Sequence, residues 1–174
     1  MNPVRRIISG FNESDQSEVL VEDEVESIIP YEPFPCFQLQ NLFYTEDKEQ
    51  NLKTAHNNTD YDINLPPGAF RFLKMTMPTK KQFTECLEKA GEEVPEDWTK
   101  YNLHATDSAD YIYVLSGKID YVVGETVTTL KKGDFLAQIG PEHTWVNRYD
   151  EPCEVLCVMV GMKPTGKAKK MLVE

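Results

Sequence analysis

The length, composition and charge of this chain exclude several broad classes of protein. It has 174 residues, 40% of them hydrophobic and 10% aromatic, which suffices for the packed core of one domain and argues against global disorder. Its 18 Lys and Arg against 29 Asp and Glu give a net charge of −11, so we expect no nucleic-acid partner and no adhesion to an anionic membrane surface. No apolar run approaches the roughly 18 residues of a membrane span.

The N-terminus and the cysteines favour a cytoplasmic protein. Residues 1–10 lack both the apolar core and the small-residue cleavage site of a signal peptide. The four cysteines, Cys36, Cys86, Cys153 and Cys157, do not have the dense spacing of a disulfide scaffold, so we expect buried, reduced thiols.

Extended segments dominate the first 78 residues. Apolar runs at 4–8 and 19–21 predict two strands separated by a polar turn. Further extended segments are predicted at 37–44 and 70–77, with a polar loop at about 46–64 between them.

One short helix is predicted at 79–91. Thr79 and Gln82 have the spacing of a capping box, in which each side chain bonds the other residue's backbone. Phe83 and Leu87 follow at helical spacing, and a glycine ends the segment.

The remainder of the chain has the pattern of an all-β domain. Short β-prone runs alternate with glycine-containing turns at even spacing, which is typical of a sandwich or a barrel. These predicted strands are 111–115, 119–123, 126–130, 135–139 and 155–160.

Two histidines and one acid in this region suggest a metal site. His104 precedes the strand that starts near Asp110, and His143 follows the strand at 135–139. Alternation places Asp110 and Ile112 on one face, where a histidine from a neighbouring strand could meet the carboxylate. Two imidazoles and one carboxylate can form an open site for a divalent metal.

The segment that begins at His104 resembles the first motif of the cupin superfamily, G-(x)5-H-x-H-(x)3–4-E-(x)6-G. Asp110 stands at the glutamate position, and Gly117 follows at the required spacing. Thr106 replaces the second histidine, and Trp98 stands where the opening glycine is usual. One usual imidazole ligand is therefore missing, and the carboxylate is one methylene shorter.

A second segment resembles the other cupin motif, G-(x)5-P-x-G-(x)2-H-(x)3-N. Gly133 opens it, Gly140 and His143 supply the G-(x)2-H element, and Asn147 supplies the final asparagine. Gln138 stands where proline is usual, and the motif is one residue short. Together the two motifs are similar to those of a small single-domain cupin.

The resemblance covers residues 100–162 and implies the fold. That fold is the all-β cupin double-stranded β-helix, a jelly-roll-like antiparallel barrel. We expect a single domain over 1–174, with N-terminal strands and an extension over 1–78. The inserted helix at 79–91 and the motif region at 100–162 complete it.

Two interpretations of the motif residues stay open. In the first, His104, Asp110 and His143 hold a divalent Zn, Fe, Mn or Ni ion whose open positions activate a water or polarise a carbonyl. In the second, the same residues form a hydrogen-bonded polar cluster in a metal-free barrel.

These interpretations assign roles to individual residues and predict two functions. Asp110 and His143 are the catalytic candidates, with Asp110 as a general base. Gln138, Trp145 and Thr106 are the ligand-binding candidates. The first function is a metal-dependent lyase, isomerase or dioxygenase acting on a small organic molecule in the barrel. The alternative is a metal-free cupin that binds a small molecule without catalysis.

A homodimer is the predicted assembly. The extra N-terminal strands would present open sheet edges in a monomer, and pairing across a two-fold axis would cover them. The resemblance also implies such a dimer. No other macromolecular partner is predicted.

Overall fold

A computed structural model describes residues 2–11, 14–26, 36–45 and 65–163 of the chain. The predicted loop at 46–64 lies outside these ranges. Ten strands and one helix are present in the described part: β1 (Val4–Phe11), β2 (Ser17–Val25), β3 (Gln38–Thr45), β4 (Phe70–Met77), α1 (Lys80–Ala90), β5 (Ser108–Ser116), β6 (Lys118–Val123), β7 (Thr126–Lys131), β8 (Phe135–Ile139), β9 (His143–Val146) and β10 (Cys153–Gly161).

The strands form two antiparallel sheets and a separate hairpin. The larger sheet has the order β3-β4-β10-β5-β8, and the smaller one has the order β7-β6-β9. Buried apolar side chains from both sheets meet in one core, including Leu73 and Val155 from the larger sheet and Ile119 and Val146 from the smaller. The predicted all-β antiparallel fold is confirmed.

Alternating burial along the strands shows which face of each strand meets the core. In β10, Cys153, Val155, Cys157 and Met159 are buried, whereas the residues between them are half-buried. Side chains on a strand point alternately to its two faces, so this period-2 pattern assigns one face of the larger sheet to the interior.

The predicted helix and its capping box are confirmed. The Thr79 side chain accepts a hydrogen bond from the Gln82 backbone nitrogen at 3.1 Å, and Gln82 Oε1 accepts one from the Thr79 nitrogen at 3.0 Å. Gly91 ends the helix with a φ of 75°, a left-handed conformation that glycine adopts without steric cost. Phe83 and Leu87 anchor the helix in the core.

One disulfide corrects the prediction for the cysteines. Cys36, just before β3, is bonded to Cys86 in α1, so the prediction of reduced thiols is wrong for this pair. The residues are 50 positions apart, and only their spatial proximity reveals the bond. Cys153 and Cys157 are buried free thiols, as predicted.

The N-terminal hairpin is joined to the larger sheet through side chains. β1 and β2 pair with each other, whereas β3 and β4 belong to the five-stranded sheet. Gln40 Nε2 donates to the carbonyl oxygens of Asn2 and Val25, both at 2.9 Å, and Arg6 donates to the Leu42 carbonyl at 3.2 Å.

Across the ranges that the structure describes, no helix has the length and apolarity to cross a membrane.

Candidate functional site

Six side chains singled out from the sequence line one cavity between the two sheets. The cavity has a volume of about 60 Å³. The six residues are His104, Thr106, Asp110, Gln138, His143 and Trp145, and all but Trp145 are at least 90% buried.

Strand pairing brings the polar members of this set together. Asp110 on β5 lies directly opposite Gln138 on β8. His104 and His143 are joined by two backbone hydrogen bonds of 3.1 and 2.8 Å, and their ring centroids are 4.5 Å apart. Gln138, which stands where the second motif usually has proline, thus faces Asp110, the acid of the first motif.

Asp110 accepts hydrogen bonds on both carboxylate oxygens. Ser108 Oγ donates to Oδ1 at 2.6 Å, and Gln138 Nε2 donates to Oδ2 at 2.7 Å. Thr106 Oγ1 lies 2.8 Å from Ser108 Oγ. Because the Ser108 proton is directed at Asp110, Thr106 is the donor in that contact. Thr106, at the place of the second motif histidine, therefore acts on the carboxylate through Ser108.

Gln138 bridges Asp110 and His143. The same Nε2 that donates to Asp110 lies 3.1 Å from His143 Nε2. His143 Nδ1 lies 2.9 Å from the Pro141 carbonyl oxygen, which can only accept, so Nδ1 carries the proton and Nε2 accepts from Gln138. One amide group therefore satisfies both side chains with its two protons.

The two imidazoles are neutral at physiological pH. Burial is the main cause that lowers the pKa of His143 to about 4, and the neighbouring His104 lowers it further. Burial also lowers the pKa of His104. A hydrogen bond from His104 Nδ1 to the Asn102 carbonyl, at 2.8 Å, raises that pKa and so opposes the effect of burial. Both rings thus direct Nδ1–H at a backbone carbonyl.

Burial raises the pKa of Asp110, and the hydrogen bonds from Ser108 and Gln138 oppose that effect. A buried carboxylate is tolerated where donors satisfy it, and here two donors do so. Asp110 also raises the pKa of the Cys157 thiol, although burial is the larger cause there. Cys157 is therefore a neutral part of the cavity wall, not a thiolate nucleophile.

The donor atoms of this arrangement do not fit a metal ion. Among the described residues, no three His, Cys, Asp or Glu side chains are grouped so that they could hold one. His104, Asp110 and His143 meet at one cavity, but Gln138 Nε2 takes both Asp110 Oδ2 and His143 Nε2 as acceptors. The observed arrangement thus differs from the predicted ligand set, because the Gln138 amide lies between Asp110 and His143, two of the three predicted ligands.

An apolar wall completes the cavity, and most of it was not foreseen in the sequence. Trp145 packs against Tyr121, with ring centroids 4.9 Å apart. The other apolar lining residues come from the larger sheet and from the segment before β3: Phe37, Leu39, Met75, Met77, Ile112, Cys157 and Met159. The alternation in β3 and β4 is interrupted, so the inward-facing residues there had no clear sequence signal.

Comparison with known proteins finds a family match over part of the chain. Residues 90–159 match the family model described as "Cupin domain". The chain contains a cupin domain. The match includes both predicted motifs, the second of which ends at Asn147, and hence every residue of the polar cluster. No curated protein matches the sequence.

Solved structures of similar shape include other cupins. The cupin domain of Cnp3 from Schizosaccharomyces pombe is 18% identical, with a TM-score of 0.46 over 92% of this chain and 85% of that one. A cupin-2 domain from Rhodospirillum rubrum is 15% identical, with a TM-score of 0.48 over 83% and 74%. A cupin described as a sugar phosphate isomerase, from Silicibacter pomeroyi, is 14% identical, with a TM-score of 0.46 over 78% and 71%.

Proposed function

We propose that the cupin domain binds a small, uncharged and partly apolar molecule in the cavity without the help of a metal. The ligand would donate a hydrogen bond from a hydroxyl or amide group to the polar cluster. Its apolar part would pack against the side chain of Trp145. This is the metal-free alternative of the two functions that the sequence predicts.

A buried acceptor carries the proposal. Gln138 Oε1 is buried and has no hydrogen-bond partner among the described residues, whereas the Nε2 of the same amide has two. An unsatisfied buried carbonyl costs about 1–3 kcal/mol, so a donor that reaches it would gain that amount on binding. Asp110 and His143 fix the amide in this orientation because both need its protons.

The electrostatics of the cavity favour a neutral ligand. No Lys or Arg is among the described residues that line it, so a phosphate or carboxylate group would find no counter-charge. The neutral imidazoles add none, because burial keeps the pKa of both below its usual value. Desolvating an unpaired charge in such a place is costly.

The size of the cavity limits the ligand. Its volume of about 60 Å³ is well below the 300–1,000 Å³ that is typical of pockets for drug-sized molecules. A ligand with a few non-hydrogen atoms matches this space.

A metal-dependent enzyme, the other predicted function, has less support from the geometry. It would require Asp110 and His143 to give up the Gln138 amide and take a metal ion in its place. The Gln138 amide protons would then lose both of the acceptors that they have in the cluster.

Three isosteric probes test the proposal: acetamide, acetone and acetate. Their binding would be followed by the fluorescence of Trp145 in a Trp98→Phe background, since the chain has two tryptophans. Acetamide is expected to bind in the millimolar range, acetone at least about tenfold more weakly because it lacks a donor, and acetate not measurably. The Gln138→Leu variant is expected to lose the preference for acetamide over acetone.

Thr128→Val is the matched control, because Thr128 is exposed on β7, away from the cavity. It should bind acetamide like the parent. Equal affinities for acetamide and acetone in the parent protein, or tighter binding of acetate, would contradict the proposal.

A further inference from the structure

A groove on the surface of the domain has the Cys36–Cys86 disulfide in its wall. Both cysteines line the groove, and both are half-buried. The groove has a volume of about 440 Å³, within the roughly 300–1,000 Å³ that is typical of pockets for small molecules. Among the described residues, none lines both this groove and the cavity. We call it the disulfide groove.

The ends of β3 and β4 form one side of the disulfide groove. Gln38 lies directly opposite Thr76 in the β3–β4 ladder, and both residues line the groove. Side chains alternate between the two faces of a strand, so the chain neighbours of this pair point the other way. Those neighbours, all of which line the cavity, are Phe37, Leu39, Met75 and Met77. The groove and the cavity therefore lie on opposite faces of the same sheet.

The helix α1 forms another side of the disulfide groove and supplies a cation. Lys89 is exposed in the last turn of α1 and has no ion-pair partner among the described residues. Glu85, the acid that lines the groove, lies 4.0 Å from the ammonium group of Lys81. The groove thus carries an unpaired positive charge, which favours an anionic ligand.

A buried hydroxyl on the strand side of the groove also lacks a partner. Thr76 Oγ1 is buried and makes no hydrogen bond to any of the described residues. A hydroxyl can donate to a carboxylate oxygen, and hydrogen bonds with a charged partner are stronger than those between neutral groups. A carboxylate that contacts both Thr76 and Lys89 would satisfy the hydroxyl and the cation at once.

The two sulfur atoms of the disulfide differ in their surroundings. Lys89 follows Cys86 by three residues, and residues three apart are neighbours on the surface of a helix. A nearby cation stabilises a thiolate, so Cys86 is the better leaving group. Cys36 Sγ lies instead 3.9 Å from the carbonyl oxygen of Phe83, whose partial negative charge opposes a thiolate there. An incoming thiolate is therefore directed at Cys36.

We propose that the disulfide groove binds a small thiol that carries a carboxylate, and that this thiol exchanges with the Cys36–Cys86 disulfide. The ligand thiolate attacks Cys36 Sγ, the bond between the two cysteines breaks, and its electron pair leaves with Cys86 Sγ. The proton that the ligand thiol loses on ionisation ends on Cys86. One disulfide replaces another, so the step needs no separate oxidant or reductant.

The exchange also affects the wall of the cavity. Phe37, which directly follows Cys36, lines the cavity and packs against Phe83 of α1, with ring centroids 5.7 Å apart. The intact disulfide ties this segment covalently to α1. After exchange, only non-covalent contacts hold Phe37 in the cavity wall. A thiol bound on one face of the sheet thereby acts on the cavity on the other face.

Exchange rates with two probe thiols, 3-mercaptopropionate and its methyl ester, test the proposal. The full chain is treated with each thiol at mildly alkaline pH, quenched in acid and analysed by peptide mass spectrometry. Each rate is divided by that of the same chain unfolded in urea, which corrects for the intrinsic reactivity of the thiol. The corrected rate is expected to be at least about tenfold higher for 3-mercaptopropionate than for the ester, with the probe attached to Cys36.

Variants of the groove locate this preference. Lys89→Gln and Thr76→Val should each reduce it to less than about threefold. Lys132→Gln is the matched control, because it removes the same charge from an exposed residue outside the groove, and it should leave the preference unchanged. Equal corrected rates for the two probes in the parent overturn the proposal, as does a preference that Lys89→Gln leaves intact. Attachment of the probe to Cys86 in place of Cys36 would contradict the assigned direction of attack.

Discussion

The side-chain amide of Gln138 lies 2.7 Å from Oδ2 of Asp110, directly across the β5–β8 ladder. The same nitrogen reaches His143 at 3.1 Å. The neutral Gln138 amide thus donates to one acceptor atom on each of two candidate metal ligands, Asp110 and His143. The stability of the cluster, its charge state and its ability to bind a ligand all depend on this contact.

The first prediction concerns Gln138→Leu. This variant leaves Asp110 Oδ2 and His143 Nε2 buried without a donor, and each unsatisfied group costs about 1–3 kcal/mol. The variant also removes the unsatisfied Gln138 Oε1, which offsets part of this cost, so we expect the free energy of unfolding, measured in urea at pH 7, to fall by about 2–4 kcal/mol. Thr128→Val, an exposed and nearly isosteric change, should alter it by less than about 0.5 kcal/mol. A similarly small effect of Gln138→Leu would show that the amide does not hold the cluster together.

The second prediction concerns stability at acidic pH. Burial lowers the pKa of His143 to about 4, from 6.5 in an unfolded chain, so the unfolded state binds the proton first. The contribution of His143 to stability is therefore full above about pH 6.5 and is lost as the pH falls toward 4. Between pH 7 and 5 this amounts to about 2 kcal/mol.

Urea unfolding of the parent and of His143→Gln at the two pH values measures this contribution. The variant should lose about 2 kcal/mol less than the parent between pH 7 and 5. The titration of His104 changes the free energy of unfolding in the same direction as that of His143, because burial lowers the pKa of both imidazoles. The titration of Asp110 changes it in the opposite direction, because burial raises the pKa of that carboxyl. Both remain in the variant, so the difference reports His143 together with its electrostatic coupling to His104. Identical losses in the two proteins would mean that His143 takes up its proton as easily when folded as when unfolded.

The third prediction concerns the Cys36–Cys86 disulfide. It closes a segment of 50 residues, and restricting an unfolded chain by such a loop stabilises the folded state by about 2–4 kcal/mol. The Cys36→Ser/Cys86→Ser variant should be less stable by that amount under non-reducing conditions. With dithiothreitol the difference should vanish. If the difference persists with the thiols reduced, its source is the packing of the two sulfur atoms and not the bond.

Local sequence patterns predicted the elements whose signals are short-range. The capping box of Thr79 and Gln82 lies within one helical turn, and its hydrogen bonds are present as expected. The strands at 111–115 and 119–123 follow from β-branched and aromatic runs interrupted by turn glycines. The two motifs also led to six of the residues that line the cavity, because the motif spacing fixes their positions relative to β5, β8 and β9.

Features that depend on contacts between distant segments could not be predicted in the same way. Cys36 and Cys86 become partners only when β3 and α1 pack together. Phe37 and Met75 line the cavity, but interrupted alternation in their region hid which face they occupy. The bridging role of Gln138 depends on its register opposite Asp110 and on the tautomer of His143, and neither is visible in a single sequence.

Metal content tests the central claim most directly. The full chain would be incubated with Zn²⁺, Mn²⁺, Fe²⁺ or Ni²⁺, desalted and examined by elemental analysis, with His143→Gln treated in parallel. The Gln138 bridge predicts less than about a tenth of an equivalent of each metal in both proteins. About one equivalent in the parent, lost in His143→Gln, would contradict the account, because Asp110 and His143 would then hold a metal ion in place of the amide.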